Sequence, residues 1–172
     1  MSGWRRCAAA VAAALLVAAC TSLPPPPGER FEGRLAVQVA GDAPRSFSAA
    51  FELSGTTEVG RLVLSTPLGS QAAAADWGGG RVRLRSSDGE RLYPDLDSLS
   101  QDALGETVPI AALFDWLHGR AWAGAASAAT PSGFEQLGWS VDLSRHAEGW
   151  VLAQRRAAPP VTVRVKLDEA VR

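Results

Sequence analysis

With 17 basic and 18 acidic side chains among its 172 residues, the chain has a formal charge of −1 and offers no electrostatic footprint for nucleic acid. Its single lysine, Lys166, follows Val165, so the Gly-Lys-Ser/Thr of a nucleotide phosphate loop is missing. Two histidines, His118 and His146, and two cysteines without metal-ligand spacing argue against a zinc centre.

The chain opens with Arg5 and Arg6, runs through 13 mostly apolar residues at 7–19, and closes that run with Val17-Ala18-Ala19-Cys20. This is the plan of a bacterial lipoprotein signal peptide: a positive n-region, an apolar h-region, small residues at the cut, and a cysteine that takes the lipid. A membrane-spanning helix takes about 20 residues, so the segment is too short to stay as an anchor. Residues 1–19 are therefore expected to be removed, leaving 153 of the 172 residues with Cys20 at their head. Covalent acyl and diacylglyceryl groups on Cys20 are the only attached chemistry expected, with no other cofactor and no metal. Lipidation consumes the one thiol left, so no intramolecular disulfide forms. A remainder of this size suits one domain with a single core.

Residues 20–29 read as the lipidated cysteine and a tether. Pro24 to Pro27 favour polyproline II at about 3.1 Å per residue, a stiff spacer outside any core. The folded domain is expected over 30–172.

From there the hydrophobic pattern has period two, the signature of half-buried antiparallel strands. Leu35, Val37 and Val39 alternate with polar or small neighbours, as do Phe47, Ala49, Phe51 and Leu53. Leu62 and Leu64 continue the series, then Val82 and Leu84 between Arg81, Arg83 and Arg85. Further strands carry Trp139, Val141 and Leu143, then Trp150 and Leu152, and finally Val161, Val163, Val165 and Leu167. Turn residues at Gly41-Asp42, Gly55, Gly78-Gly79-Gly80, Asp88-Gly89 and Glu148-Gly149 separate the runs at hairpin spacing. In the middle, Asp95 or Asp97 can cap a short helix ending near Gly105. Thr107 with Pro109 opens a second, with Ile110, Leu113, Phe114 and Leu117 at spacings of three and four. The prediction is a mainly β fold, an antiparallel meander with a short helical hairpin laid on it. The Ala/Gly-rich segment 121–132 reads as a mobile loop. Periodicity does not choose between a sheet closed on its own side chains and one enclosing a ligand.

Enzyme signals are weak. Gly138-Trp139-Ser140-Val141-Asp142 lacks the second glycine of a nucleophile elbow and lies in a strand pattern, so Ser140 reads as an outward strand residue. Asp115 and His118 lie three apart on the second helix and read as a solvated surface pair. Arg81, Arg83, Arg85 and Arg91 form a basic face or rim, suited either to an acidic partner or lipid headgroups or to blocking aggregation. Leu68, between Pro67 and Gly69, puts an apolar residue on a turn where water selects polar ones. The residues by themselves favour its folding back over the mouth of the sheet.

Three local motifs together resemble the outer-membrane lipoprotein receptor family LolB. They are Phe31-Glu32-Gly33-Arg34-Leu35-Ala36-Val37 with Ser48-Ala49-Ala50-Phe51; Leu62-Val63-Leu64-Ser65-Thr66-Pro67-Leu68-Gly69-Ser70; and Gly105-Glu106-Thr107-Val108-Pro109-Ile110 through Trp116-Leu117-His118-Gly119-Arg120, with Gln136-Leu137-Gly138-Trp139 downstream. Their order and spacing cover about 30–167. Leu53 stands where a tryptophan is common, and the end from Lys166 to Arg172 lacks an aromatic finish.

The resemblance implies a half-open antiparallel β-barrel with a helical lid and an apolar cavity that accepts acyl chains of other lipoproteins. It would be lined by Leu35, Val37, Phe51, Leu53, Leu62, Leu64, Trp116, Trp139, Val141 and Trp150, although a packed core explains the aromatics equally well. It implies a lipid-anchored monomer in the outer membrane facing the periplasm, with no catalytic role. It further implies that the chain takes acylated lipoprotein cargo from the periplasmic carrier LolA and passes it to outer-membrane phospholipid, with Leu68 as the membrane-inserting residue. The competing reading is a lipoprotein scaffold of an outer-membrane assembly complex, built on the same sheet with a filled core.

Overall fold

Alternation along the first strand sets the architecture. In β1 (Glu29–Val39), Phe31, Leu35, Val37 and Val39 face inward while Glu32, Arg34 and Gln38 face water, as a sheet with one buried face requires. The computed structural model describes residues 26–104 and 110–168. Cys20, the signal segment, Pro24 and Pro25 lie outside them, as do Thr107 and Pro109.

Ten more strands follow: β2 (Phe47–Gly55), β3 (Gly60–Ser65), β4 (Gln71–Gly78), β5 (Arg81–Ser86), β6 (Gly89–Tyr93), β7 (Ser127–Thr130), β8 (Gly133–Gln136), β9 (Trp139–Asp142), β10 (Trp150–Arg155) and β11 (Val161–Leu167). All pair antiparallel in one sheet of order β6-β5-β4-β3-β2-β1-β11-β10-β9-β8-β7. Two meanders are thus zipped together by β1 and β11, in the register Leu35↔Val165 and Val37↔Val163. The free edges are β6 and β7, and the chain crosses between them through α1 (Leu96–Leu104) and α2 (Ile110–Leu117). The result is a half-open barrel with a helical lid.

Asp95 is the cap of α1, its Oδ1 accepting the Ser98 N–H at 2.7 Å. Gly119 ends α2 with φ +77°, and a Cβ there would lie 2.9 Å from the His146 ring, so both conformation and space demand glycine.

Three expectations change. The segment 121–132 contains β7 and is pinned by Gln136, described below, so it is an ordered edge of the sheet. Trp150 and Leu152 lie on the other face from the one expected, because pairing of β10 with β11 aligns Val151 with Val165 and Ala153 with Val163; these smaller residues take the interior. Trp150 is only half-buried, with the Arg145 guanidinium 5.4 Å and the Lys166 ammonium 5.9 Å from its ring. Asp115 and His118 do not pair: Asp115 accepts from Arg120 Nε at 2.6 Å, while His118 Nε2 lies 3.0 Å from Glu29 Oε2 and its ring meets Phe31 edge-on. Arg120 follows the helix end and folds back within reach of Asp115, which removes the partner that spacing had suggested.

Candidate functional site

The inner face of the sheet gathers most of the predicted lining set. Leu35, Val37, Phe51, Leu53, Trp139 and Val141 are buried there, and Leu62 and Leu64 stand half-buried beside Leu53 and Phe51. Trp150 is excluded by the register just described. What the sequence pattern does not display is how α2 occupies the hollow: Ala112, Phe114, Trp116 and Leu117 all point into the sheet. Trp116, 1% exposed, packs with ring centroids 6.2 Å from Phe134 and 6.3 Å from Trp139; Phe114 lies 6.3 Å from both Phe31 and Trp77. Helix α2 is thus the filling of the barrel.

One buried polar side chain holds it. Gln136, 2% exposed, accepts from Trp116 Nε1 and from the Trp122 N–H, each at 2.9 Å, and donates from Nε2 to the Trp122 carbonyl at 2.6 Å and the Ala125 carbonyl at 2.8 Å. The amide is therefore satisfied on both ends, the condition under which burying it is tolerable. His146 Nε2 meets the Leu117 carbonyl at 2.8 Å and secures the end of the same helix. Gln136 is a residue that motif reading quotes without a role. Its signal was its parity with Phe134, which places an amide on an apolar face.

Helix α1 is held differently. Asp102 accepts from Tyr93 Oη at 2.6 Å and Arg91 Nη1 at 3.1 Å, both on edge strand β6. Arg91 is thus separated from the basic face, because it pairs opposite Leu84 on the inner side. Arg83 and Arg85 face out, toward Glu90 and Asp76 respectively. The hydrogen bond from Tyr93 holds the Asp102 carboxyl below its ordinary 3.8, with the Arg91 charge adding to it; the same bond pushes the Tyr93 phenol above 10.0.

These directions define a pH window for the latch. A carboxylate with a depressed folded pKa stabilises the folded state above its unfolded pKa and ceases to do so as pH falls through the folded value. A phenol with a raised pKa contributes below its unfolded pKa and is lost as pH rises through the folded value. Amide exchange of residues 96–104 should therefore be slowest between about pH 4 and pH 10 after correction for intrinsic rates. Tyr93→Phe should speed exchange inside that window while leaving β1 and β11 protected. Equal protection of α1 in wild type and Tyr93→Phe would show that the latch does not hold the helix.

Leu68 is 96% exposed. It does not fold back over the mouth of the sheet. The turn that carries it is tight: Thr66 N–H donates to the Ser70 carbonyl and Gly69 N–H to the Thr66 carbonyl, each at 2.9 Å, while the hydroxyls of Thr66 and Ser70 lie 2.8 Å apart. Gly69 has φ +82°, which releases the chain back into β4. A leucine is thus presented to solvent on a tight, hydrogen-bonded hairpin tip.

A single antiparallel sheet curled round an apolar face, filled by a helix and bearing an exposed apolar turn, defines a half-open β-barrel with a helical lid. A model of the family described as outer membrane lipoprotein LolB matches residues 30–170, and the chain belongs to that family. Membership places it among outer-membrane lipoproteins. It is 40% identical over 116 residues to the outer-membrane lipoprotein LolB of Bordetella pertussis, covering 62% of this chain and 58% of that protein. With the proteins of the same name from Cupriavidus metallidurans and Halorhodospira halophila the identities are 34% over 118 residues and 32% over 126, covering 64% and 69% of this chain. The chain spans between 55% and 59% of the length of these three relatives.

Proposed function

We propose that this chain accepts acylated lipoproteins from a periplasmic carrier of the LolA type and passes them to the outer membrane. The observation that carries this reading is the lid: an apolar inner face is covered by helices with few polar contacts to the sheet, Asp102 of α1 to the edge strand β6 and Trp116 of α2 to Gln136 of β8. Acyl chains would take the places of Phe114 and Trp116 as α2 withdraws. Each methylene exposed to water costs about 0.8 kcal/mol, so a cargo with several long chains cannot be released into the periplasm and must move from one apolar interior to another. Direction would come from ordered affinities, the bilayer exceeding the receptor and the receptor exceeding the carrier. The reading needs no catalytic residue.

The close packing of Trp116 favours one competitor, a scaffold whose interior never opens. A Cys20→Ala chain exported behind a different signal separates the two. It should be released from the membrane and still take up labelled cargo from a carrier–lipoprotein complex, seen as an intact adduct by native mass spectrometry. A well-folded Cys20→Ala chain that acquires no cargo would sink the receptor reading; cleaved acyl chains would point to a hydrolase.

A further inference from the structure

Arg85 stands at the foot of the Leu68 turn. The registers Ser65↔Gln71, Ala73↔Ser86 and Ser86↔Gly89 bring the turns 66–70 and 86–89 out side by side at one end of the sheet. Between them lies a groove of about 490 Å³ lined by Thr66, Gln71, Ala72, Arg85, Ser86 and Ser87. Among the described residues no carboxylate lines it. Three hydroxyls, one amide and one guanidinium do, a donor set that suits a tetrahedral oxyanion. Asp76 divides its two oxygens between Arg61 and Arg85 and engages Nη2 of Arg85, whose Nε is buried without a partner among the described residues while the side chain as a whole is 40% exposed. The Ser86 Oγ accepts the Asp88 N–H at 3.2 Å, which leaves its own hydroxyl hydrogen to donate.

We infer that this groove receives the phosphate of a phospholipid headgroup when Leu68 enters the acyl layer. The inference rests on the membrane-delivery reading above and supplies the lipid group that the turn would engage. Thr66 belongs to both features, as the first residue of the turn and as a wall of the groove. A lipid whose chains surround Leu68 therefore carries its phosphate to the level of these donors, and this adjacency favours a headgroup over a free anion. The groove would fix how deep the hairpin enters, which an apolar tip by itself does not.

Co-sedimentation of the unlipidated Cys20→Ala chain with two kinds of vesicle tests this. One kind is phosphatidylcholine, which bears phosphate but no net charge; the other is digalactosyl diacylglycerol, which bears no phosphate. Arg85→Gln and Ser87→Glu should each weaken binding to the first about tenfold, the roughly 1.4 kcal/mol of one charge-assisted hydrogen bond, and leave binding to the second unchanged. Arg83→Gln removes the same charge from the same strand but faces Glu90 at 3.5 Å, and should match wild type on both. Equal effects of Arg83→Gln and Arg85→Gln, or no effect of Arg85→Gln and Ser87→Glu, would overturn the headgroup site. Inorganic phosphate that shifts the Ser86 and Ser87 amide resonances, with vesicle binding indifferent to Arg85→Gln, would also overturn it and make the groove a free-anion site. Leu68→Glu reports separately: loss on both vesicle types supports insertion, whereas wild-type binding on both would remove the underlying reading of the turn.

Discussion

Gln136→Ala is expected to destabilise the domain by about 3–5 kcal/mol, because it strips partners from several groups at once and each buried polar group left unsatisfied costs about 1–3 kcal/mol. Trp116 Nε1 and the backbone of Trp122 and Ala125 lose their bonds together. Such an effect belongs to the rare upper range for single substitutions. Chemical denaturation measures it. Gln136→Glu is the informative companion, since it keeps the acceptor for Trp116 but removes the amide donors and introduces a charge that burial disfavours. A double-mutant cycle with Trp116→Phe should show coupling of about 1 kcal/mol or more, as expected for residues in one network. A loss below about 1 kcal/mol for Gln136→Ala would mean that the amide does not hold the lid. The functional corollary runs the other way: a weakened clip favours withdrawal of α2, so the folded fraction of Gln136→Ala should take up cargo at least as fast as wild type.

Leu68→Glu should leave folding and cargo uptake intact and slow delivery into membranes by about tenfold or more. The tip is fully exposed and its turn is held by backbone bonds, so stability should change by less than about 0.5 kcal/mol, as at ordinary surface sites. Burying the leucine in lipid gives about 2 kcal/mol, and every 1.4 kcal/mol is a factor of ten. A carboxylate forfeits that gain and adds the cost of desolvating a charge. The measurement has two stages: transfer of labelled lipoprotein from carrier to receptor, then from receptor to liposomes. Only the second should slow, with cargo accumulating on the receptor. Equal second-stage rates would return Leu68 to the role of an exposed turn residue without a function in delivery.

Long strands with one wet face, such as β1, β2 and β11, announce themselves because a period of two and a buried face are the same fact. β4 is invisible to that test: its alanines at 72–75 lack the contrast between apolar and polar positions, and neighbouring strands recruit it. β7 is missed for the same reason, and its Ala/Gly-rich surroundings imitate a loop. Trp150 reads as an inward residue because its large apolar ring suits a core, whereas Lys166 and Arg145 offer that ring a favourable outer face that only the β10–β11 register reveals.

By itself the sequence determined the local terms: which runs alternate, where turns fall, that Asp95 can cap a helix, that Leu68 occupies a turn tip, and, through the order of its motifs, the family. These depend on neighbours within a few residues, where spacing is geometry. Only the tertiary structure decided that β1 zips to β11, that α2 fills the barrel, that Gln136 clips it, that Asp102 latches α1 to β6, and that Arg85 and the hydroxyls beside it frame a groove below Leu68. Each of those joins residues far apart in the chain, with Trp116 meeting Gln136 and Tyr93 meeting Asp102 across a fold. Their partners are chosen by which faces the whole sheet buries, and no local pattern encodes that choice.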